Sequence, residues 1–347
     1  MITALATIFV LGILIFFHEL GHFLVAKKSC IRVDKFSLGF PPTILSKKYG
    51  ETEYAIGLIP LGGYVKMAGE NPYDDNKGEP WEFMSKPVWK RFLVIFAGPF
   101  TNFLLAALVL AGIYFFRGSP IDAVYIDNVK PDYPAAMAGI QPGDKIVSVD
   151  GIDINSFQKM AEIIGPKAGS TVVISWERED RLFTDTIATV AEQEALDNGD
   201  SVTISRIGVE RRIAYAPLGF FASIGTGFAE SAFYVKKVFE FVWGLVSRQV
   251  EMSNIGGPIV IGKYAGLTAR AGFDVLLEFL ALLSVNLAVL NILPIPVLDG
   301  GHLLFLLIEK LKGSPVSARG RLVAQQIGMA FILILIIFVT YNDITRP

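Results

Sequence analysis

The sequence predicts a multi-pass α-helical membrane protein with four transmembrane helices, a small membrane-associated β-region and an inserted β-rich α+β domain. Three observations predict it. Of the 347 residues, 52% are hydrophobic and only 18% charged; four apolar stretches reach the length needed to span a bilayer; and one central segment alternates polar and apolar residues between turn signals, as strands do. A composition this apolar excludes an ordinary soluble domain of the same length. The formal net charge of −2 comes with no basic, aromatic-rich patch, so no nucleic-acid partner is expected. The single cysteine, Cys30, excludes an internal disulfide framework.

The spans are expected over Ile2–Ala26, Phe92–Phe116, Val275–Leu293 and Gln326–Tyr341. The first has no basic leader and no small-residue cleavage site, and is read as a membrane helix rather than a signal peptide. Cations gather after the first span (Lys27, Lys28, Arg32, Lys35, Lys47, Lys48, Lys86, Lys90, Arg91) and between the last two (Lys310, Lys312, Arg319, Arg321). The positive-inside rule puts both loops in the cytoplasm and both termini outside. The chain then divides into residues 1–118, the first half of a membrane core with a cytoplasmic-side loop over 29–91; residues 119–215, an extracytoplasmic domain; and residues 216–347, an amphipathic segment followed by the second half of the core.

Within 29–91, Val33–Leu38, Glu53–Leu58 and Gly63–Met67 read as short strands separated by Pro41-Pro42, Lys47–Gly50 and Pro60. They form either a small sheet under the membrane or a solvated linker; an exposed sheet edge there could pair with an extended peptide. Residues 119–215 alternate in runs such as Ala123–Val129, Lys145–Val149 and Ser170–Glu177, with turns at Pro131, Pro134, Pro142-Gly143-Asp144 and Asp150-Gly151. The run from Pro134 to Asp144, followed by Val149-Asp150-Gly151, resembles a PDZ domain. That resemblance implies a peptide-gripping segment at Ile207, Gly208 and Val209, where a peptide terminus would dock by strand addition. Gly219–Arg248 is amphipathic and lies either along the outer surface or beside the spans.

Two of the three histidines lie in His18-Glu19-Leu20-Gly21-His22, inside the first apolar run. Residues four apart share a helix face, so His18 and His22 can hold one metal ion with Glu19 one step around. Ionisable residues at membrane depth cost roughly 2–3 kcal/mol each unless something satisfies them, which disfavours accident. A catalytic zinc site usually takes three protein ligands and leaves a fourth position open. Asp299 is the obvious third: it interrupts an uncharged run from Phe279 to Ile308 in which Pro294 and Pro296 must break the helix. Broken backbone at membrane depth is tolerated where it is buried in protein or lines a wet cavity. Asp299 could instead cap the helix restarting at Gly300, and His302 is a rival ligand, although orienting the loop suits it better. At about 1.5 Å per residue, Lys27 lies about 7.5 Å beyond His22, so the site sits nearer the cytoplasmic face than the bilayer centre.

With Phe96–Asn102 on the second span, Gly62–Met67, Gly257-Pro258 and Asn291–His302, the chain resembles the site-2 protease family of intramembrane zinc proteases, of the bacterial regulator of sigma-E protease type. The resemblance implies that Zn²⁺ is bound by His18, His22 and Asp299 and that Glu19 is the general base. It further implies a protein of the bacterial inner membrane that cuts single-span membrane substrates, an anti-sigma factor after prior cleavage outside, or signal-peptide remnants by the same chemistry. The strand with Gly62, Gly63, Tyr64 and Val65 would clamp the substrate. Asn291 and Asn102 are amides at membrane depth that could meet the substrate or its oxyanion, with helix tying the better role for Asn102. One PDZ domain stands where the enterobacterial members carry two. A reading of another class is a membrane-anchored PDZ adaptor with a structural metal.

Overall fold

The computed structural model describes residues 1–70, 77–195 and 201–345. Two compact units emerge, one from residues 1–115 and 219–347 and one from residues 116–218.

The first unit begins with α1 (Ile2–Lys28), which runs uninterrupted because no proline or glycine pair breaks its apolar sequence. Then come β1 (Val33–Tyr49) and β2 (Thr52–Met67), both bent. Phe36 lies opposite both Val65 and Tyr54, and Lys47 opposite Tyr54. The two strands therefore fold back into four sheet segments in the order 63–67, 35–38, 53–57 and 43–49. Residues 43–49, expected partly as a separator, are an edge segment. Pro41-Pro42 can precede it because an edge does not need every ladder amide. The sheet rests on the end of α1 through Phe36, Val65 and Met67, which cluster with Ala26, Val94 and Leu306.

Next comes α2 (Val88–Arg117). After the second unit follow α5 (Phe220–Val246), α6 (Pro258–Ala271), α7 (Phe273–Ile292), α8 (Asp299–Lys312) and α9 (Ala318–Thr345). Among the described residues, four helices, α1, α2, α7 and α9, are long and apolar enough to cross a membrane. The last begins eight residues before the expected Gln326. Its first turns carry Arg319 and Arg321, which end the hydropathy signal without ending the helix. Between α7 and α8 the backbone is irregular over residues 293–298, as Pro294 and Pro296 require.

The amphipathic segment packs beside the spans. Ser223, Gly227 and Ser231 form the buried face of α5, and a side chain at Gly227 would meet the α2 backbone at Ala107 and Ala111. Small residues four apart let two backbones approach where lipid gives no hydrophobic drive for helix association. Asp343, near the end of α9, accepts hydrogen bonds from the Gly257, Ile259 and Val260 amides at 2.9, 3.0 and 3.1 Å. It thereby caps α6, whose start offers unpaired amides and a positive dipole end.

The second unit contains β3 (Ser119–Val129), α3 (Pro134–Met137), β4 (Lys145–Val149), β5 (Ile152–Asp153), α4 (Phe157–Ile164), β6 (Thr171–Arg178), β7 (Arg181–Ala188), β8 (Val190–Ala195), β9 (Ser201–Arg206) and β10 (Val209–Ala216). Its main sheet has the antiparallel order β10-β3-β4-β6-β7, while β8 and β9 form a separate ribbon. Val124, Ile126, Ile146, Val149 and Ile174 fill the core. The buried Asp144 of the Pro142-Gly143-Asp144 turn takes two hydrogen bonds from Arg178, each 2.7 Å, and one from the Gln141 amide at 2.8 Å. This explains why a carboxylate ends that turn.

In the first unit, Arg91 at the start of α2 grips Glu309 of α8 through both guanidinium nitrogens, at 3.1 and 2.5 Å. Both residues are buried. Removing one partner of such a pair strands the other charge and costs roughly 3–5 kcal/mol. Glu309→Ala is expected to lower stability by that amount in detergent denaturation, whereas the double variant Arg91→Met/Glu309→Leu recovers most of the loss.

Candidate metal centre and cleft

His18 and His22 lie one turn apart on α1, and Asp299 is the first residue of α8. Their donor atoms converge. His18 Nε2 is 3.2 Å from His22 Nε2 and 3.2 Å from Asp299 Oδ2, and His22 Nε2 is 3.5 Å from the same oxygen. Two ligands each about 2.0–2.1 Å from a tetrahedral zinc ion lie roughly 3.3–3.4 Å apart, so the three atoms fit one face of a zinc tetrahedron. Asp299 Oδ2 is buried and has no hydrogen-bond partner. A buried carboxylate oxygen without a hydrogen bond is costly, and a cation at the centre of the cluster would satisfy it. The N-cap position of α8 is Leu298, which offers no capping group, and Asp299 follows it as the first helical residue. His302 lines the adjoining cleft but stands outside the donor cluster.

The far nitrogens of both rings are held as metal ligands require. His22 Nδ1 donates to the Val94 carbonyl at 2.8 Å. His18 Nδ1 lies 3.3 Å from the carboxamide of Asn102. When Nε2 faces a metal, Nδ1 carries the proton, and the isosteric amide then presents Oδ1 as the acceptor. Asn102 is fully buried, and the Ser284 hydroxyl donates to its backbone carbonyl at 2.7 Å, tying α2 to α7. Of the two roles open to Asn102, substrate contact is corrected by this placement: with no exposed surface, it stands behind the His18 ring.

The helix contact that allows this is made by Gly98 on α2. A Cβ there would collide with the His22 ring and lie 2.9 Å from His18 Cε1. A glycine inside a helix costs about 1 kcal/mol relative to alanine, so its presence here reflects space rather than propensity.

A cleft of about 620 Å³ opens beside the three donors. Glu19 lies on it, as do Gly63, Tyr64 and Val65 of β2. The Val65 amide faces the Glu19 carboxylate, and a Cβ on Gly63 would lie 2.9 Å from Glu19 Cγ. Gly62 lies under the Phe40 ring instead, and Asn291, half-buried in the last turn of α7, is not on the cleft wall. Sequence reasoning passed over Glu70, Arg321 and Gln325, which also line the cleft. Glu70 follows the end of β2 by three residues, and an acid so close to a candidate substrate strand was the available signal. Burial pushes its carboxyl up to about 7.

In the second unit a groove of about 430 Å³ runs between α4 and residues 204–210, walled by Phe157, Met160, Ile207, Gly208 and Val209. The Ile207 side chain is in the core. The carbonyls of Ile207 and Gly208 accept from the Ala135 and Lys130 amides at 3.0 and 2.9 Å.

Gly98→Ala separates packing from propensity. It is expected to abolish stoichiometric zinc binding, read by elemental analysis of purified protein, while helix content by circular dichroism is unchanged.

The model of peptidase family M50 matches residues 6–335. A protein of Brucella suis provisionally described as a zinc metalloprotease is 35% identical, over 99% of this chain and 95% of its own length. The regulator of sigma-W protease RasP of Bacillus subtilis is 30% identical, over 99% of this chain and 98% of its own. Among solved structures, the PDZ domain of the SdrC-like protein of Listeria monocytogenes is 31% identical over 26% of this chain and 87% of that one, with a TM-score of 0.22. The chain belongs to peptidase family M50, the site-2 proteases, and is a zinc metalloprotease of the membrane.

Proposed function

We propose that this metalloprotease cuts single-span membrane proteins near the cytoplasmic end of the span, with His18, His22 and Asp299 as zinc ligands and Glu19 as general base. The observation that carries the reading is the three-donor cluster with Glu19 beside it, His18, Glu19 and His22 all lying on α1, a helix long enough to span a bilayer. Among the described residues the cluster has three donors, which leaves a position free, as in catalytic rather than structural zinc sites. This disfavours an adaptor with a structural metal.

Bound there, zinc supplies a Lewis acid that activates water and polarises the scissile carbonyl. Glu19 takes the proton from the attacking water as oxygen adds to the carbonyl carbon. It then delivers that proton to the leaving nitrogen as the C–N bond breaks, yielding a carboxyl and an amine terminus. Asn102 and the Val94 carbonyl keep both imidazoles in the ligating tautomer. A helical substrate hides its carbonyls in its own hydrogen bonds. Local unwinding must precede cleavage, and the 63–67 edge of β2 offers the unwound backbone new partners along the cleft.

The name of the Bacillus relative, a regulator of sigma-W protease, supports an anti-sigma factor as substrate. The cation distribution favours an arrangement with both termini and residues 119–215 outside the bacterial inner membrane and the metal toward the cytoplasm. The groove at Ile207–Val209 would hold a peptide end exposed by an earlier cut outside, so that only trimmed substrates proceed.

Glu19→Gln is expected to keep zinc at wild-type stoichiometry and to slow cleavage of a single-span substrate in detergent by roughly 10²–10⁴-fold; cleavage at the wild-type rate removes Glu19 from the chemistry. Replacing residues 119–215 by a short flexible linker is expected to leave cleavage of a pre-trimmed substrate intact and to permit cleavage of the untrimmed one. Loss of both activities in a zinc-loaded protein contradicts the gating role.

A further inference from the structure

The 63–67 segment of β2 has residues 35–38 on one side and the cleft on the other. In a strand, the amides of residues two apart point to the same edge. Here the Val65 amide faces the Glu19 carboxylate, and the Met67 amide donates to Glu70 Oε2 at 3.3 Å. The two cleft-side amides therefore meet different fates. The first lies beside the general base, where substrate must come. The second is already taken by an acceptor from the protein's own chain.

The Glu70 side chain is held for this task by its backbone. The Ala68 amide donates to the Arg32 carbonyl at 2.9 Å, the Phe83 amide to the Ala68 carbonyl at 2.7 Å and the Met84 amide to the Gly69 carbonyl at 3.2 Å. Gly69, at φ +66° and packed against Glu82, turns the chain back toward the cleft. Among the described residues, the Met67 amide is the hydrogen-bond partner of the Glu70 carboxylate.

We propose that Glu70 is a positioning residue that ends the edge available to substrate: by occupying the Met67 amide it fixes the register of the added strand, and so which peptide bond stands before Glu19. The inference rests on the reading that substrate pairs with the 63–67 edge. Strands slip by two residues more readily than by one, because a one-residue slip turns every side chain to the other face. Freeing the Met67 amide therefore opens one alternative register, displaced by two residues. Glutamine at position 70 keeps a carbonyl acceptor for that amide, and alanine does not.

The test uses the full-length, zinc-loaded protein in detergent with a single-span substrate, cleavage products being located by mass spectrometry. Glu70→Ala is expected to add a second cut two residues from the wild-type cut, at comparable yield, while Glu70→Gln keeps the single cut. Glu70→Ser, too short to reach the Met67 amide, is expected to behave as alanine does and serves in its place if the alanine chain does not load zinc. A single unshifted cut in both Glu70→Ala and Glu70→Ser overturns the inference, as does the same second cut in Glu70→Gln.

A proline scan of the substrate separates this from the reading beneath it. Proline removes the amide that pairing uses, so edge pairing predicts that sensitivity to proline alternates with a period of two residues. Alternation together with an unshifted cut rejects the role of Glu70 alone. Absence of alternation in the wild-type enzyme rejects edge pairing itself.

Discussion

The structure depends on bringing two imidazoles and one carboxylate, from opposite ends of the chain, to within 3.2–3.5 Å of each other inside an apolar bundle. Each group alone is costly among lipid-facing helices. Together they form a donor set whose geometry suits zinc, with the orphaned oxygen of Asp299 pointing into it. The rest of the membrane unit can be read as the means of holding these three groups still. Gly98 lets α2 approach the rings, the 293–298 break aims Asp299, and the Arg91–Glu309 pair fastens α8, which carries it, to the start of α2.

The cleft joins two kinds of secondary structure for a physical reason. Helices can bury a metal in a membrane, but they leave few backbone groups free, because each amide and carbonyl is used internally. An unwound substrate needs such groups. Folding β1 and β2 back on themselves puts a strand edge, 63–67, beside the helix that carries Glu19, so backbone partners and the Glu19 carboxylate face the same space. Gly63 permits that closeness, since any larger residue would press on the Glu19 side chain.

Much of this was legible in the sequence because membrane helices and i, i+4 ligand pairs are local patterns. Three of the four spans appear close to their expected limits, and His18, His22 and Asp299 stand together. What was not legible depends on partners distant in sequence. The start of α9 was missed because Arg321 looks like a loop residue until Glu309 is placed 3.9 Å from it. The 43–49 strand was hidden by Pro41-Pro42 and by lysines that read as a turn. Asn102 left both helix tying and substrate contact open because its polarity is visible in sequence and its burial is not. Glu70 carried no periodic signal; its role depends on where the chain turns after Met67.

Whether Asp299 completes the zinc shell begun by His18 and His22 is decided by zinc K-edge X-ray absorption of the purified protein beside that of Asp299→Ala. Two imidazole ligands and oxygen ligands at about 2.0–2.1 Å, without sulfur, are expected in the wild type, with loss of that signature in the variant. An unchanged spectrum and zinc content in Asp299→Ala, or a sulfur shell in the wild type, would contradict that ligand set.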